Sequence, residues 1–231
     1  MLSVIIGNGD ILLSKLPQND PIRNEVKEMY DTAKASAELV RQLLAFARKQ
    51  IVSPRVINLN DTMNSLIGFL RRLVRENIRL EVNLASYICA VKIDPVQIQQ
   101  ILSNLIVNAR DAIEGSGIIK VETGIRTFTK EDSDRNPAYM PGEYACIRVE
   151  DNGCGIDRED LARIFEPFYT TKGEGKGTGL GLATVYGIVK QHNGLIHCYS
   201  EVEKGTTFKI YLPICERPAA HVENKIEGLA A

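Results

Sequence analysis

Asn104-Leu105-Ile106-Val107-Asn108-Ala109-Arg110-Asp111 lies near the middle of the 231-residue chain. Asn104, Asn108 and Asp111 are spaced i, i+4, i+7, so a helix gathers them into one polar stripe. Beside that stripe Ile98, Ile101, Leu102, Leu105, Ala109 and Ala112 recur at helical period and mark the face that enters a core. Asp94-Pro95 starts the helix, because aspartate caps an N-terminus well and proline suits its first residue. The pattern runs to about Glu114. Paired carboxamides beside a core stripe are odd for a face that meets only water. Their neutral oxygens suit Mg2+, whose other ligands would be phosphate and water. Taken alone, a polar helix face is the simpler account.

On both sides of this helix the pattern is mixed. Pro54 and Val56-Ile57 predict a linker and a first strand, and Met63, Leu66, Ile67, Leu70 and Leu73 a helix. Short strands are predicted at Ile78–Leu84 and Ala90–Ile93. Beyond the central helix, Ile118–Thr127 and Tyr144–Asp151 predict neighbouring strands joined by a polar loop. Gly181–His192 predicts a helix stopped by Asn193-Gly194. Leu195–Ser200 and Thr206–Leu212 predict a closing hairpin turned at Glu203-Lys204-Gly205. Elements in this order predict an α/β sandwich, one mixed sheet covered by helices on one face.

The first fifty residues differ. Ile22, Val26, Met29, Ala33, Ser36, Val40, Leu43 and Ala47 alternate steps of four and three, a heptad-like seam on a helix from Pro21 to Lys49 with Asp20 as N-cap. Met1–Leu16 predicts a shorter helix, weakened by Gly7 and Gly9. The break at Leu16-Pro-Gln-Asn-Asp-Pro21 turns the two into an antiparallel hairpin. So thin a hairpin cannot bury both helices, and a homodimer completing a four-helix bundle is the natural solution. The expected domains are the hairpin, 1–50, an α/β domain, 51–215, and an aperiodic, disordered tail, 216–231.

Bulk properties exclude several classes. Charged residues make up 25% and the formal net charge is −1, which gives no electrostatic reason for nucleic acid or an anionic membrane as partner. There is no apolar run of about 18 residues to span a bilayer, and no basic segment before the apolar patch at Met1–Leu16 to mark a signal peptide. The five cysteines form no CxxC pair; their odd number argues against a closed disulfide framework, and their spacing against a zinc site.

Two further constellations accompany the asparagine helix. Asp151-Asn-Gly153-Cys-Gly155 follows a strand, and its carboxylate can accept from an exocyclic amine such as that of adenine. The two glycines allow a close backbone approach, although an ordinary turn also explains them. Gly173-Glu-Gly175-Lys-Gly177-Thr-Gly179-Leu180-Gly181 opens directly into a helix. Its unobstructed amides at a helix N-terminus favour polyphosphate, and Lys172, Lys176 and Thr178 add charge and a hydroxyl. No GK[ST] closes it as a Walker A loop, and a plain linker seldom leads straight into a patterned helix. Its mobility suits a lid.

In this order, with Phe165-Glu-Pro-Phe168 between the last two, the constellations closely resemble the GHKL ATPase superfamily and, within it, the sensor histidine kinases. Asn104–Asp111 resembles the N box, Asp151–Gly155 the G1 box, Phe165–Phe168 the F box and Gly177–Gly181 the G2 box. The resemblance covers about residues 55–215. Leu43-Leu-Ala-Phe-Ala-Arg-Lys49 resembles the end of the family's dimerisation and phosphotransfer hairpin.

The resemblance implies ATP and Mg2+. Asp151 would hold the adenine amino group, Asn108 would ligate magnesium with help from Asn104, and Gly177, Gly179 and Gly181 would pack against phosphates. Asp111, Gly153, Gly155, Phe168, Thr178 and Leu180 join these as nucleotide-site residues, with Lys172 as a lid contact to the γ-phosphate. It further implies phosphoryl transfer to a histidine on the first hairpin helix and then to an aspartate of a response-regulator receiver domain, in the cytoplasm.

The chain departs from the family in one respect. Its only histidines are His192, His197 and His221, far from the hairpin. Family members carry the acceptor histidine, an acidic residue and an Asn-Asn pair just before the stretch resembling Met1–Ile6. As given, the chain is expected to bind ATP without phosphorylating itself at the usual site. Two alternatives are a GHKL ATPase that couples hydrolysis to conformational change and a non-catalytic module that binds a response regulator. Against the first, Gln99 and Gln100 stand where a water-activating glutamate is needed, and Glu114 is at the wrong end. Against the second, Asp151, Asn108 and the glycine loop are intact.

Overall fold

The computed structural model describes residues 2–17, 20–47, 53–86, 90–136, 139–173 and 177–215. The tail expected at 216–231, Cys89 and Lys176 lie outside them. The chain divides into two compact units, residues 1–52 with 163–184, and residues 53–162 with 185–231.

The first unit contains the expected hairpin, α1 (Leu2–Lys15) and α2 (Arg23–Ala47). α2 starts two residues later than predicted. The Asp20 carboxylate accepts from Ile22 N at 2.9 Å and its carbonyl from Arg23 N at 3.1 Å, so Pro21 and Ile22 belong to a turn before the helix. Arg23 Nη1 donates to the carbonyls of Leu13 (2.7 Å) and Leu16 (2.6 Å) at the end of α1. A cation thereby satisfies carbonyls that the helix itself leaves unpaired. Gly9 lets the helices meet: a Cβ there would lie 2.9 Å from Cδ2 of Tyr30. The residue that weakens α1 locally is the one that seats it on α2. Ala33 is buried, whereas Val4, Ile5, Ile11, Leu12 and Met29 are exposed.

The second unit opens with β1 (Arg55–Asn58), α3 (Leu59–Leu73), β2 (Ile78–Asn83), β3 (Ala90–Ile93) and α4 (Pro95–Ala112). β4 (Gly117–Phe128), α5 (Lys130–Arg135), β5 (Gly142–Asp151) and α6 (Arg158–Leu161) follow. From Val185 on, α7 (Gly181–Gln191) belongs to this unit, and β6 (Leu195–Glu201) and β7 (Gly205–Pro213) close it. The main sheet has order β2-β4-β5-β7-β6, with β2 parallel to β4 and the other pairs antiparallel. Parallel pairing needs a crossover of a dozen or more residues, and β3 with α4 supplies it. The mixed sheet is the one expected, and beside it the described residues form a separate two-stranded ribbon. β1 pairs with β3, and a bridge from Val91 to Ile214 ties their ribbon to the chain leaving β7.

Alternation assigns the faces. Ala145, Ile147 and Val149 of β5 stand opposite Leu212, Ile210 and Phe208 of β7, and all are buried. α4 lies on this face against β4, β5 and β7, with Ile98, Ile101, Leu102, Leu105 and Ile106 within 1% of full burial. Its N-cap is Asp94, whose side chain accepts from Val96 N at 2.9 Å. On the other face Phe128 stacks on Tyr139 and meets Tyr144 and Tyr211 edge-on, so the excursion through α5 folds back as a small aromatic cluster. α5 was not legible in the sequence, being a single short turn fixed by a capping box between Thr129 and Asp132.

Gly68 is exposed in the middle of α3 with nothing within 4 Å of a would-be Cβ. Gly68→Ala is expected to raise stability by about 0.5–1 kcal/mol through lost freedom of the unfolded chain. Thermal denaturation checks it, and a lower midpoint would contradict the open surroundings.

Candidate functional site

Asp151 ends β5 on the helix-covered face and is only 6% exposed. Register sets Ile119, Asp151, Thr206 and Ser200 in one row across β4, β5, β7 and β6. One carboxylate oxygen accepts from Gly153 N at 2.9 Å, and Thr206 stands beside Asp151 on the neighbouring strand. Burial raises its pKa to about 6, with a smaller push from Glu150, and the backbone amides of Gly153 and Thr206 oppose the rise. An ionised carboxylate has about four acceptor positions, so the Gly153 amide leaves it able to take a further donor. A buried strand-end carboxylate with spare capacity is suited to an amine on a flat, apolar ring.

The loop after Asp151 is fastened on both sides. Cys154 N donates to Ala112 O at 2.9 Å, at the end of α4, and Asn152 Oδ1 accepts from Ile118 N at 2.7 Å. A Cβ on Gly153 would stand 2.7 Å from Ala112 O, and one on Gly155, where φ is +75°, would overlap Glu201 O. These two glycines thus bring the loop against α4 and against the β6–β7 turn. Cys154 O in turn accepts from Glu203 N at 2.8 Å.

The asparagine stripe ends at this corner, because Ala112 directly follows Asp111. Asn104, Asn108 and Asp111 are all half-buried. Asp111 Oδ1 accepts from Arg110 Nε (2.9 Å) and Nη2 (2.7 Å), so this member of the stripe is already engaged by a cation. The donor set fits Mg2+, which binds through few protein oxygens and keeps water and phosphate in its shell. Among the described residues no three His, Cys, Asp or Glu side chains form a metal cluster. Asn108 and Asn104 offer neutral oxygens in keeping with that mode.

The other predicted residues lie in the first unit. Phe168 N donates to Gly179 O at 3.0 Å. Both residues have positive φ, +68° and +64°, and a Cβ on Gly179 would overlap the Phe168 backbone. The Phe165–Phe168 and Gly177–Gly181 stretches are therefore joined backbone to backbone. Phe168 is exposed, and Arg163 stacks on Tyr169 at 4.3 Å beside them. A Cβ on Gly177 would lie 2.6 Å from Thr170 Oγ1, which also accepts from Lys172 N at 3.2 Å. Thr178 Oγ1 accepts from Leu180 N at 3.4 Å, Leu180 is buried, and α7 begins at Gly181.

Sequence reasoning passed over Ser200, Gly205 and Thr206. Counting outward from Asp151 along the alternating strands would have found them, since the register sets Thr206 and Ser200 in its row. The two described histidines hold structure together. His192 Nε2 lies 2.7 Å from Gln97 Oε1, and His197 sits among Tyr139, Tyr199 and Tyr211. Burial lowers the pKa of both.

A half-buried asparagine helix and a buried strand-end carboxylate meeting at one corner of an α/β sandwich define a nucleotide-binding domain. A family model described as "Histidine kinase-, DNA gyrase B-, and HSP90-like ATPase" matches residues 93–216, more than half of the chain. The chain is 42% identical over 236 residues to sensor kinase CckA of Brucella abortus, covering 98% of this chain and 25% of that protein. It is 31% identical over 214 residues to sensor histidine kinase ZraS of Escherichia coli K12, covering 92% of this chain and 42% of that protein. Among solved structures, full-length ShkA in complex with AMPPNP aligns with a TM-score of 0.67 at 22% identity, over 94% of this chain and 43% of that one. The last match speaks for the fold alone. The chain belongs to the histidine kinase-, DNA gyrase B- and HSP90-like ATPase family and carries the ATP-binding catalytic core of a histidine kinase. It spans between a quarter and a half of the length of these relatives.

Proposed function

We propose that this chain is the kinase core of a sensor histidine kinase, transferring the γ-phosphoryl group of ATP to a histidine and thence to an aspartate of a response-regulator receiver domain. The observation that carries the reading is Asp151: a buried carboxylate, held by the Gly153 amide, with acceptor capacity left for the adenine amino group. Asn108, helped by Asn104, would hold Mg2+, which supplies charge neutralisation of the phosphates. The amides of Gly177, Gly179 and Gly181, the Thr178 hydroxyl and Lys172 would bind polyphosphate. Gly153, Gly155, Phe168 and Leu180 would shape their surroundings, and Asp111 would act through Arg110. Phosphoryl transfer asks the protein mainly for positioning and charge stabilisation, and these residues can do both. Gln99 and Gln100 offer no carboxylate to activate water, which favours transfer over hydrolysis.

The domains proposed are a dimerising hairpin, 1–50, and an ATP-binding domain, 51–215. Supporting a homodimer, α1 and α2 bury Gly9 and Ala33 between them yet leave Val4, Ile5, Ile11, Leu12 and Met29 in solvent. A second hairpin would cover these side chains. Among the described residues no helix is long and apolar enough to cross a membrane. The reading places this core in the cytoplasm, where ATP is supplied.

Incubation with γ-labelled ATP and Mg2+ tests it. The chain alone should remain unlabelled, since it has no histidine in the hairpin. A histidine-bearing hairpin of a sensor kinase supplied in trans should become labelled, and an Asn108→Ala chain should label it at least about tenfold more slowly. Release of inorganic phosphate without any labelled hairpin would favour the ATPase reading instead.

A further inference from the structure

Asp111 stands where a helix least favours a carboxylate. It lies in the last turn of α4, where the macrodipole is negative and suits a cation instead. It is also one turn beyond Asn108 on the polar stripe, and such neighbours have Cβ atoms about 5–6 Å apart. Arg110 answers the charge. Its Nε (2.9 Å) and Nη2 (2.7 Å) both donate to Asp111 Oδ1, although consecutive helix residues do not face each other. The guanidinium is held in that posture from its other side. Nη1 donates at 3.2 Å to Leu73 O, a carbonyl that the end of α3 leaves without a helical partner. The two side chains are 28% and 24% exposed, so solvent screens the pair only in part. The pair carries no net charge, and its cation is anchored to a second helix.

We propose that Arg110 is a positioning residue for the metal and phosphate site: it neutralises Asp111 and holds that carboxylate off the ion. Mg2+ is then met by the neutral oxygens of Asn108 and Asn104 and by the phosphates. The inference rests on the assignment of Asn108 and Asn104 to Mg2+ under the proposed function. A bare carboxylate one turn from Asn108 would act in two ways. It would repel the phosphates. It would also ligate Mg2+ more strongly than a carboxamide does, and so draw metal into the site before any nucleotide arrives. Held by Arg110, it does neither. Arg110 acts through Asp111 rather than on the nucleotide.

The test is calorimetric titration of Mg-ATP, at low ionic strength, into the chain and into Arg110→Met, Asp111→Asn and the double variant. Arg110→Met bares the carboxylate and should weaken Mg-ATP about tenfold. Asp111→Asn bares the cation and should tighten Mg-ATP about threefold or more. The double variant should return to within about threefold of the parent. High salt should shrink the effects of both single variants. Mg2+ alone should raise the thermal midpoint of Arg110→Met and leave that of the parent in place. The Leu73 contact is lost equally in Arg110→Met and in the double variant. A merely structural role would therefore leave both equally weak, and that result would overturn the proposal, as would equal midpoint shifts with Mg2+. Asp111→Asn binding more weakly than the parent would also overturn it, by making Asp111 itself a ligand. That arm carries the test where Arg110→Met fails to fold. A parent chain that does not bind Mg-ATP would instead overturn the nucleotide-site reading.

Discussion

Asp151→Asn should lower ATP affinity by about a hundredfold or more while leaving the fold as stable at neutral pH as the parent, or more so. The first half follows from acceptor geometry. The carboxylate has two oxygens, takes the amide of Gly153, and has room for another donor. A carboxamide replaces one oxygen with NH2, which sets donor against donor at the amine and leaves a single oxygen for the Gly153 amide. The second half follows from linkage. The carboxyl has its ordinary pKa of 3.8 when unfolded and about 6 in the fold, where burial disfavours the charge. Between those values the folded state keeps a proton that the unfolded state has released. Stability is therefore full below 3.8, declines as pH rises to about 6, and stays lower above. About two pKa units correspond to about 3 kcal/mol. Asparagine escapes that penalty but gives up one acceptor oxygen, a loss of at most about 1–3 kcal/mol, so the net effect lies between neutral and stabilising. Urea unfolding on either side of pH 6 and calorimetry with ATP check both halves. ATP affinity of the parent should also fall below pH 6, by up to about tenfold per unit as the carboxyl protonates, and this dependence should vanish in the variant. A variant that binds ATP normally would remove the central support for the nucleotide site.

Much of this was readable in advance, for reasons visible in particular residues. The amphipathic pattern from Ile98 to Ala112 is strong and well capped, so α4 emerged at Pro95–Ala112. The alternation of Thr206, Phe208, Ile210 and Leu212 likewise gave the closing hairpin. Topology was harder. The alternation in Ala90–Ile93 does not say whether that strand joins the main sheet, and its pairing with β1 depends on contacts distant in sequence. Within the site, glycines were the least transparent. Reading Gly153 and Gly155 as clearance for a ligand was reasonable from sequence, yet their missing Cβ atoms make room for Ala112 and Glu201. Ser200 carries no motif, and only the register sets it in the row of Asp151.

Gly205→Ala should be the most damaging small substitution in the second unit. Gly205 has φ +114°, where an L side chain is strained, and a Cβ there would overlap the carbonyl oxygen of Asp151. Strain at such an angle costs about 1–3 kcal/mol. The overlap adds to it, because neither partner is a flexible side chain that can swing aside: β5 and β7 would have to part at the row that holds Asp151, Thr206 and Ser200. A loss of about 3 kcal/mol or more is expected, against a total stability of about 5–15 kcal/mol for a typical domain. The fraction that still folds should bind ATP poorly, since parting the strands shifts Asp151 from its place opposite Thr206. Lys204→Ala, in the same turn, is the control. Lys204 pairs with Glu201 at the surface, and exposed pairs contribute little, so its unfolding curve should overlay the parent's. Urea denaturation followed by circular dichroism, with ATP titration of the folded fraction, separates the two effects. If Gly205→Ala folds and binds like the parent, strands β5 and β7 need not approach so closely at this row. Asp151 would then be held by its own loop, through Gly153 N, rather than by the sheet.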